Sequence, residues 1–347
     1  MAAIVLASRA TAMRAALVAA APRCARGFSM SGRPPPAPPR TPGAERGAAA
    51  KAREENTDLP SAYPPRGLSR ERVKPKELRQ LKVGFIGWGA MAQAVSLGII
   101  REDLTESSSV MATDVVPEIL EAAAREGLQT TESNKSLVEW ADLVVMAVKP
   151  QVVQAVIKDI APVWKDNKVL VSICAGVTID SYQDGLGEGA KVVRVMPNTP
   201  CLVGEAATAY AASRRCLDWE VDLVYDMFSA VGNATHRVPE NLLNSVTGLS
   251  GSGPAYVYML IQALSDAGVQ GGLPRKVALS LAAQTVIGAA KMVQETGTHP
   301  EVLKEAVTSP AGTTIAGVRT LERLGYRSAV IEAVEAARLR SEALAKS

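Results

Sequence analysis

The chain has 347 residues, of which 47% are hydrophobic and only 4% aromatic. This composition excludes a disordered chain, and the length indicates two folded domains, or one large one, whose packing must use small aliphatic side chains. Residues 1–80 hold 15 Lys and Arg against 6 Asp and Glu, a net charge of +9, whereas residues 81–347 hold 23 against 29, a net charge of −6. A mildly acidic folded part argues against nucleic acid as a partner.

Cysteine and histidine are too few for a metal site or a disulfide framework. The four cysteines show no CxxC spacing, and the chain has only two histidines. We therefore expect no metal ion and no disulfide. Because no run of about 18 apolar residues occurs, we also expect no membrane-spanning helix and no membrane partner.

The first 44 residues have the composition of an organelle transit peptide. Arginine recurs through an Ala- and Ser-rich background, and the first acidic residue is Glu45. The pattern favours a mitochondrial address over a chloroplast one. The alternatives are a secretory signal with "AALVAAA" as its apolar region, and a tail without an address that leaves the protein in the cytoplasm. Residues 45–80 are polar with several prolines and predict a flexible linker, so the folded chain should begin near Leu81.

The segment "LKVGFIGWGAMAQAVSLGII" (81–100) predicts a buried strand, a glycine turn and a helix. Its G-x-G-x-x-A motif is typical of dinucleotide sites. Gly87 would permit the tight turn, and Gly89 would let the backbone approach a pyrophosphate. Ala90 and Met91 would open the helix whose N-terminus faces the phosphates, and Ala92 would let that helix pack closely on the strand.

The next predicted strand, "SVMATD", ends at Asp114, which lies 22 residues after Ala92. An acidic residue there can accept hydrogen bonds from both adenosine ribose hydroxyls, and it would repel the 2′-phosphate of NADPH. We therefore expect NADH to be used at least as well as NADPH. Asp114 could equally cap the helix that starts near Pro117.

Three further buried strands are predicted in 141–157, 168–180 and 190–212, and each ends in small or Pro-containing residues. Ligands of open α/β sheets bind at such carboxyl ends. Residues 81–240 therefore predict a doubly wound parallel sheet of the Rossmann type, an α/β fold that binds a dinucleotide.

Residues 241–347 predict an all-α domain. The predicted helix at 274–296 is rich in Ala and Gly, which suits close packing between helices and between subunits. Near its end the domain carries "SPAGTT" (309–314), an uncharged, hydroxyl-rich break between helices. The break can be a simple helix–helix corner, or a cradle in which backbone N–H groups at a helix N-terminus hold a small anion.

These segments together resemble pyrroline-5-carboxylate reductases. The resemblance runs in order through residues 83–340, from "VGFIGWGAMAQA" through "RVMPNTPCLVGEAATAY" and "TGLSGSGPAYVYMLIQALSDAGVQGGLPR" to "VTSPAGTTIAGVRTLE". Three residues depart from the family pattern, namely the bulky Trp88 between the glycines, Cys201 in place of Ala, and Asp114 where Ser or Arg is more usual.

The resemblance implies reduction of 1-pyrroline-5-carboxylate to L-proline with NADPH or NADH. It also implies a homodimer through the helical domain 241–347, assembled into a larger ring. Thr314 would act on the imine nitrogen as the catalytic residue. The substrate site would consist of Glu240, Ser309, Gly312, Thr313 and Thr314. The cofactor site would consist of Gly87, Gly89, Ala90, Met91, Ala92, Asp114, Asn134, Ala147, Val148, Lys149, Pro150 and Ala175.

Two other functions fit parts of this pattern. A β-hydroxyacid dehydrogenase or another imine reductase could share the architecture, but the "SPAGTT" loop and the absence of the expected helical-domain lysine disfavour a β-hydroxyacid dehydrogenase. Lys149 lies instead at a predicted strand end. A catalytically silent cofactor-binding protein is the other alternative. His236 on a strand and His299 at a helix start are interpreted as structural.

Overall fold

The computed structural model describes residues 77–345. The predicted address at 1–44 lies outside the described residues, as does all but the end of the predicted linker. That end is packed rather than free, because Leu78 is 4% exposed and belongs to the core. The folded chain thus includes residues just before Leu81.

One sheet of eight strands organises the first half of the described chain. Its order is β3-β2-β1-β4-β5-β6-β7-β8, and every neighbouring pair is parallel except β6 and β7. The strands are β1 (Val83–Ile86), β2 (Val110–Thr113), β3 (Gln129–Thr130), β4 (Leu143–Met146), β5 (Val169–Ser172), β6 (Lys191–Met196), β7 (Ala207–Ala212) and β8 (Ala234–Arg237).

Helices cover both faces of this sheet, which confirms the doubly wound α/β fold. On β1, Phe85 and Ile86 are both buried but belong to different core clusters, one on each face. Strands buried on both faces need the continuous apolar runs that the sequence shows. The helices of this half are α1 (Ala90–Arg101), α2 (Pro117–Arg125), α3 (Asn134–Trp140), α4 (Val153–Ile160), α5 (Ile179–Leu186) and α6 (Asp218–Ser229).

The segment 190–212, interpreted above as one strand, forms two antiparallel strands instead. A single 3₁₀ turn, Thr199–Val203, and Gly204 in the left-handed region (φ 79°) reverse the chain between β6 and β7. So short a connection cannot provide the crossover that parallel pairing requires. The sheet is therefore mostly, not wholly, parallel.

The second half is helical, as predicted. Its helices are α7 (Leu243–Val246), a π turn (Thr247–Gly251), α8 (Gly253–Gln270), α9 (Arg275–Thr296), α10 (Pro300–Ala306), α11 (Thr313–Arg323) and α12 (Tyr326–Ala345). Helices α8 and α9 pack together, and α12 packs against α7 and the π turn. Close approach explains Gly248, where an added Cβ would lie 2.5 Å from the Val334 carbonyl oxygen.

Many apolar side chains of the helical half are exposed to solvent in one chain. Met259, Leu324 and Ile331 are each more than 60% exposed. Helix α9 is also long and apolar enough, by length and composition, to cross a membrane, and it is the one such helix in residues 77–345. The sequence did not predict this because Lys276 and Lys291 interrupt the apolar run.

Candidate active site

The first turn of the sheet is shaped by a glycine that no other residue could replace without strain. Gly87 follows β1 with φ 85°, and an added Cβ would lie 3.0 Å from both the Ala147 carbonyl oxygen and Val148 Cγ1. This turn therefore lies against the end of β4. The strand order reverses between β1 and β4, which is where open α/β sheets bind ligands.

The N-terminus of α1 faces open space at this turn. Gly89 is its N-cap residue, no side chain caps the helix, and an added Cβ at Gly89 would meet nothing within 4 Å. The N–H groups of Ala90, Met91 and Ala92 lie in the first turn and have no acceptor within the helix. Ala92 is 1% exposed and packs in the core. The turn thus has the room and the N–H donors that a dinucleotide pyrophosphate needs.

Trp88 does not fill the gap between the two glycines. Its ring is 1% exposed and lies in the core, where the indole N–H donates to Ser96 Oγ at 3.0 Å. Its carbonyl oxygen accepts a hydrogen bond from Gln93 Nε2 at 3.0 Å. The large Trp88 side chain, which departs from the family pattern, therefore holds the turn to the core.

Asp114 does not cap α2, contrary to one of the two interpretations of the sequence. The N-cap residue of α2 is Val116, and no side chain caps this helix. Asp114 Oδ2 accepts the Trp88 N–H at 2.9 Å, and its Oδ1 accepts the Val116 N–H at 3.1 Å. Its carboxylate is therefore attached to the glycine turn itself.

Except for Asn134, the other predicted cofactor residues follow β4 and β5, which are neighbours in the sheet. Ala147 and Val148 are half-buried, Lys149 and Pro150 are exposed, and Ala175 is exposed in the turn after β5. Asn134 begins α3, and its amide donates to Asp159 Oδ2 of α4 at 3.2 Å. The Asn134 side chain therefore already has a hydrogen-bond partner within the chain.

Cysteine chemistry has no part in this site. The Cys174 thiol donates to the carbonyl oxygens of Met146 and Val148 at 3.4 and 3.2 Å, and burial raises its pKa. Burial likewise raises the pKa of Cys201 to about 11. Both thiols stay protonated at neutral pH, so neither is a nucleophile.

Asn198, which the sequence analysis did not single out, connects the two halves of the chain. It follows β6 and is 9% exposed. Its Oδ1 accepts the Ala207 N–H at 2.9 Å, and its Nδ2 donates to the Ser250 carbonyl oxygen in the π turn at 3.1 Å. π turns inside helices often mark functional sites. Its position between two prolines at a strand end was the available sequence signal.

The "SPAGTT" segment forms a tight turn that leads into α11. The Gly312 N–H donates to the Ser309 carbonyl oxygen at 3.1 Å, and Ala311 lies in the left-handed region with φ 57°. That conformation costs a non-glycine residue roughly 1–2 kcal/mol. An added Cβ on Gly312 would lie 2.3 Å from Ser309 Oγ and 3.1 Å from the Ser309 carbonyl oxygen, so a larger residue there would require the Ser309 side chain to move.

The turn leaves the α11 N-terminus available to a ligand. Gly312 is the N-cap residue and contributes no side chain, and the helix begins at Thr313 as expected. Within residues 77–345, the hydroxyls of Thr313 and Thr314 form no hydrogen bond. By contrast, Thr320 in the same helix bonds to the Ala316 carbonyl oxygen at 3.0 Å.

The structure places Glu240 in a different environment from the predicted substrate residues. Its Oε1 accepts the Ile179 N–H at 2.8 Å and pairs with Arg194 Nη1 at 3.2 Å. The Arg194 side chain is only 6% exposed. Glu240 therefore joins the start of the helical half to β6 and α5.

Both described histidines have the structural positions expected. His236 lies on β8, and His299 is the N-cap residue of α10, where its Nδ1 accepts the Glu301 N–H at 3.2 Å. Neither lies in the turn after β1 or in the "SPAGTT" turn.

Comparison with known proteins covers both halves. Residues 240–344 match the family model for pyrroline-5-carboxylate reductase dimerisation, and residues 82–176 match that for NADP oxidoreductase, coenzyme F420-dependent. The pyrroline-5-carboxylate reductase of Methanosarcina acetivorans is 44% identical over 76% of this chain and 98% of its own length. That of Arabidopsis thaliana is 41% identical over 79% of this chain and 99% of its own.

Two solved structures of pyrroline carboxylate reductases are also similar to this chain. Plasmodium falciparum pyrroline carboxylate reductase with NADP bound is 34% identical, with a TM-score of 0.71 over 77% of this chain and 99% of that one. A pyrroline-5-carboxylate reductase from Coxiella burnetii is 33% identical, with a TM-score of 0.73 over the same shares.

We predict that Glu240→Ala lowers the free energy of unfolding by about 2–3 kcal/mol, because it leaves the buried Arg194 guanidinium unpaired. Urea denaturation at one fixed protein concentration measures this. Glu322→Ala, which removes an exposed partner of Arg327, should leave the free energy of unfolding nearly unchanged because water screens this ion pair. A Glu240→Ala protein of native stability with a raised KM would instead place Glu240 at the substrate.

Proposed function

The chain belongs to the pyrroline-5-carboxylate reductase family, and from this membership we propose the roles of its individual residues. It is an oxidoreductase that reduces 1-pyrroline-5-carboxylate to L-proline with NAD(P)H. The observation that carries this conclusion is the extent of the similarity. Relatives about 40% identical align over nearly their whole length, so the glycine turn and the "SPAGTT" turn are both included.

The cofactor is assigned to the carboxyl edge of β1, β4 and β5. The N–H groups of the first turn of α1 would hold its pyrophosphate, and Asp114 lies where the adenosine ribose would bind. The segment 147–150 and Ala175 would line its nicotinamide half. When bound, the nicotinamide supplies the hydride that reduces the C5–N double bond of the substrate.

The substrate carboxylate is assigned to the α11 N-terminus. No lysine, arginine or histidine occurs in residues 307–318, so the donors there are backbone N–H groups and hydroxyls. Such N–H groups, with the partial positive charge of the helix N-terminus, favour an anion. Gly312 is suited to this contact because it has no side chain between the ligand and the helix.

Thr314 is assigned to the imine nitrogen. Its hydroxyl lies in the first turn of α11, beside the proposed carboxylate site, and takes part in no hydrogen bond described for residues 77–345. A hydroxyl that donates to this nitrogen would make C5 more electrophilic, and the nitrogen gains a proton as C5 gains the hydride.

We predict that the purified full chain oxidises NADH or NADPH only when 1-pyrroline-5-carboxylate is present. The absorbance of the reduced nicotinamide measures this oxidation.

We also predict that Thr314→Ala lowers kcat about 100-fold, because the hydroxyl that would donate to the imine nitrogen is lost. The same absorbance, followed at fixed imine concentration, measures the change. Thr320→Ala removes a hydroxyl from the same helix and should keep native kinetics.

Two results would contradict these assignments. A folded protein that binds a nicotinamide cofactor but turns over 3-hydroxyisobutyrate instead would favour a β-hydroxyacid dehydrogenase. Native kinetics in Thr314→Ala would leave this threonine only a capping or packing role.

The protein is a homo-oligomer, because its helical half matches a dimerisation family model and exposes apolar side chains that one chain does not bury. We propose that helical halves of two chains interleave around α9 and that such dimers join into a ring. Helix α9 suits this role because Ala and Gly allow close approach between helices. An apolar surface that meets a second copy also accounts for its membrane-like composition.

We predict a mass of at least two chains by light scattering at micromolar concentration. Leu281→Glu, on an α9 side chain that is 55% exposed in one chain, should shift the protein to a smaller species. Leu217→Glu, at a leucine of the first half that is 50% exposed, should leave the mass unchanged. A native monomer would exclude the interleaved dimer.

For the N-terminal segment we propose a mitochondrial address in residues 1–44, supported by its arginine-rich, acid-free composition. A fluorescent protein carrying these residues should accumulate in mitochondria. Replacing the arginines at positions 9, 14, 23 and 26 by glutamine should abolish import. Diffuse cytosolic signal from the native segment, or accumulation in chloroplasts, would refute the mitochondrial assignment.

A further inference from the structure

The carboxylate of Asp114 is held in place by the backbone on both sides. One oxygen accepts the Trp88 N–H at 2.9 Å and the other accepts the Val116 N–H at 3.1 Å. Strands β1 and β2 are paired with Ile86 opposite Thr113, so Gly87 and Asp114 leave the sheet side by side. The carboxylate therefore forms part of the rim of the cofactor site and cannot swing away without losing two hydrogen bonds.

Trp88 fixes the other end of this contact. Its N–H bonds to Asp114, its carbonyl oxygen to Gln93 and its indole N–H to Ser96, so each of its hydrogen-bonding groups has a partner. The ring is buried in the core beneath the turn. Such a residue gives the Asp114 carboxylate a rigid backbone donor rather than a mobile one.

The charges around this rim disfavour an extra phosphate. Residues 114–124 contain no Lys or Arg, and the first cation, Arg125, lies at the far end of α2, about 12 Å along the helix from Pro117. Lys135 at the start of α3 is paired with Asp159 at 3.4 Å. A 2′-phosphate next to Asp114 would meet a fixed like charge without a nearby compensating cation.

We infer that this chain prefers NADH to NADPH, with Asp114 as the specificity-determining residue and Trp88 as the residue that positions it. The carboxylate accepts hydrogen bonds from the ribose 2′- and 3′-hydroxyls of NADH, whereas the 2′-phosphate of NADPH is repelled. The solved structure of the Plasmodium falciparum relative has NADP bound. The inference rests on the dinucleotide site of the proposed function and not on the identity of the substrate.

Binding of the oxidised cofactors without substrate tests this separately from turnover. Isothermal titration of the native full chain should give a dissociation constant for NADP⁺ at least about tenfold higher than that for NAD⁺. Asp114→Ser should lower the ratio of the NADP⁺ dissociation constant to the NAD⁺ dissociation constant about tenfold or more. Glu121→Gln removes an exposed carboxylate of α2, the helix that follows Asp114 in the chain, and should leave the ratio unchanged. The ratio of kcat/KM for NADH and NADPH should move in parallel.

Trp88→Phe tests positioning through a double-mutant cycle. Alone, it removes the bond to Ser96 and should shift the ratio about threefold toward NADP⁺ as the turn relaxes. Combined with Asp114→Ser, it should shift the ratio no further, because the carboxylate that it positions is gone. Circular dichroism and the Tm establish that each variant is folded.

Three results would overturn the inference. They are a native protein that binds NADP⁺ more tightly than NAD⁺, an unchanged ratio in folded Asp114→Ser, and a Trp88→Phe effect of equal size in both backgrounds. The first needs no variant, and Asp114→Asn, which keeps the side-chain shape without the charge, replaces Asp114→Ser if the latter fails to fold.

Discussion

Two helices begin where ligands are assigned, and neither has a side chain at its N-cap that could occupy the free N–H groups. Gly89 precedes α1 and Gly312 precedes α11, each with extended backbone (φ −71°, ψ −177° and φ −76°, ψ 174°). In contrast, Ser133 and Thr178 cap α3 and α5 with their hydroxyls. Since each uncapped helix leaves several donors unsatisfied, an anion at either position replaces hydrogen bonds that water would otherwise make. The proposed cradles for pyrophosphate and carboxylate depend on these free N–H donors and on the glycine that precedes each helix.

The helix N-termini favour negatively charged groups, whereas the Asp114 carboxylate at the proposed cofactor site disfavours them. In the proposed site the α1 N-terminus would attract the pyrophosphate that NADH and NADPH share, so it would not distinguish the two cofactors. Asp114 accepts a hydrogen bond from the Trp88 N–H of the same turn, and in the proposed site its negative charge would lie where the two cofactors differ. In the proposed site, attraction at one end of the turn and repulsion at the other would let a single short segment both bind the dinucleotide and choose between its two forms.

Local sequence signals were sufficient for the features that depend on neighbouring residues. The glycine turn, the start of α11 and the Ala- and Gly-rich helix α9 follow from glycine conformation, capping and helical spacing. Other features depend on residues far apart in the chain and could not be predicted. The sequence gives no sign that the Trp88 ring turns into the core, or that Glu240 pairs with Arg194, 46 residues before it. The reversal between β6 and β7 was missed because "PNTPC" was interpreted as an end rather than a turn.

The placement of the "SPAGTT" turn connects assembly to catalysis. No residue of α10 or α11 is buried in one chain, and α9 buries only Ala278 and Ala282. Few buried apolar contacts correspond to low local stability, whereas hydride transfer needs its reacting groups held in a defined geometry. Covering these apolar faces with a second copy would fix α11, and with it the Thr314 hydroxyl and the N–H groups proposed to hold the substrate. If α9 to α11 form the interface as proposed, the surface that makes the protein an oligomer would also give the proposed substrate site a defined geometry.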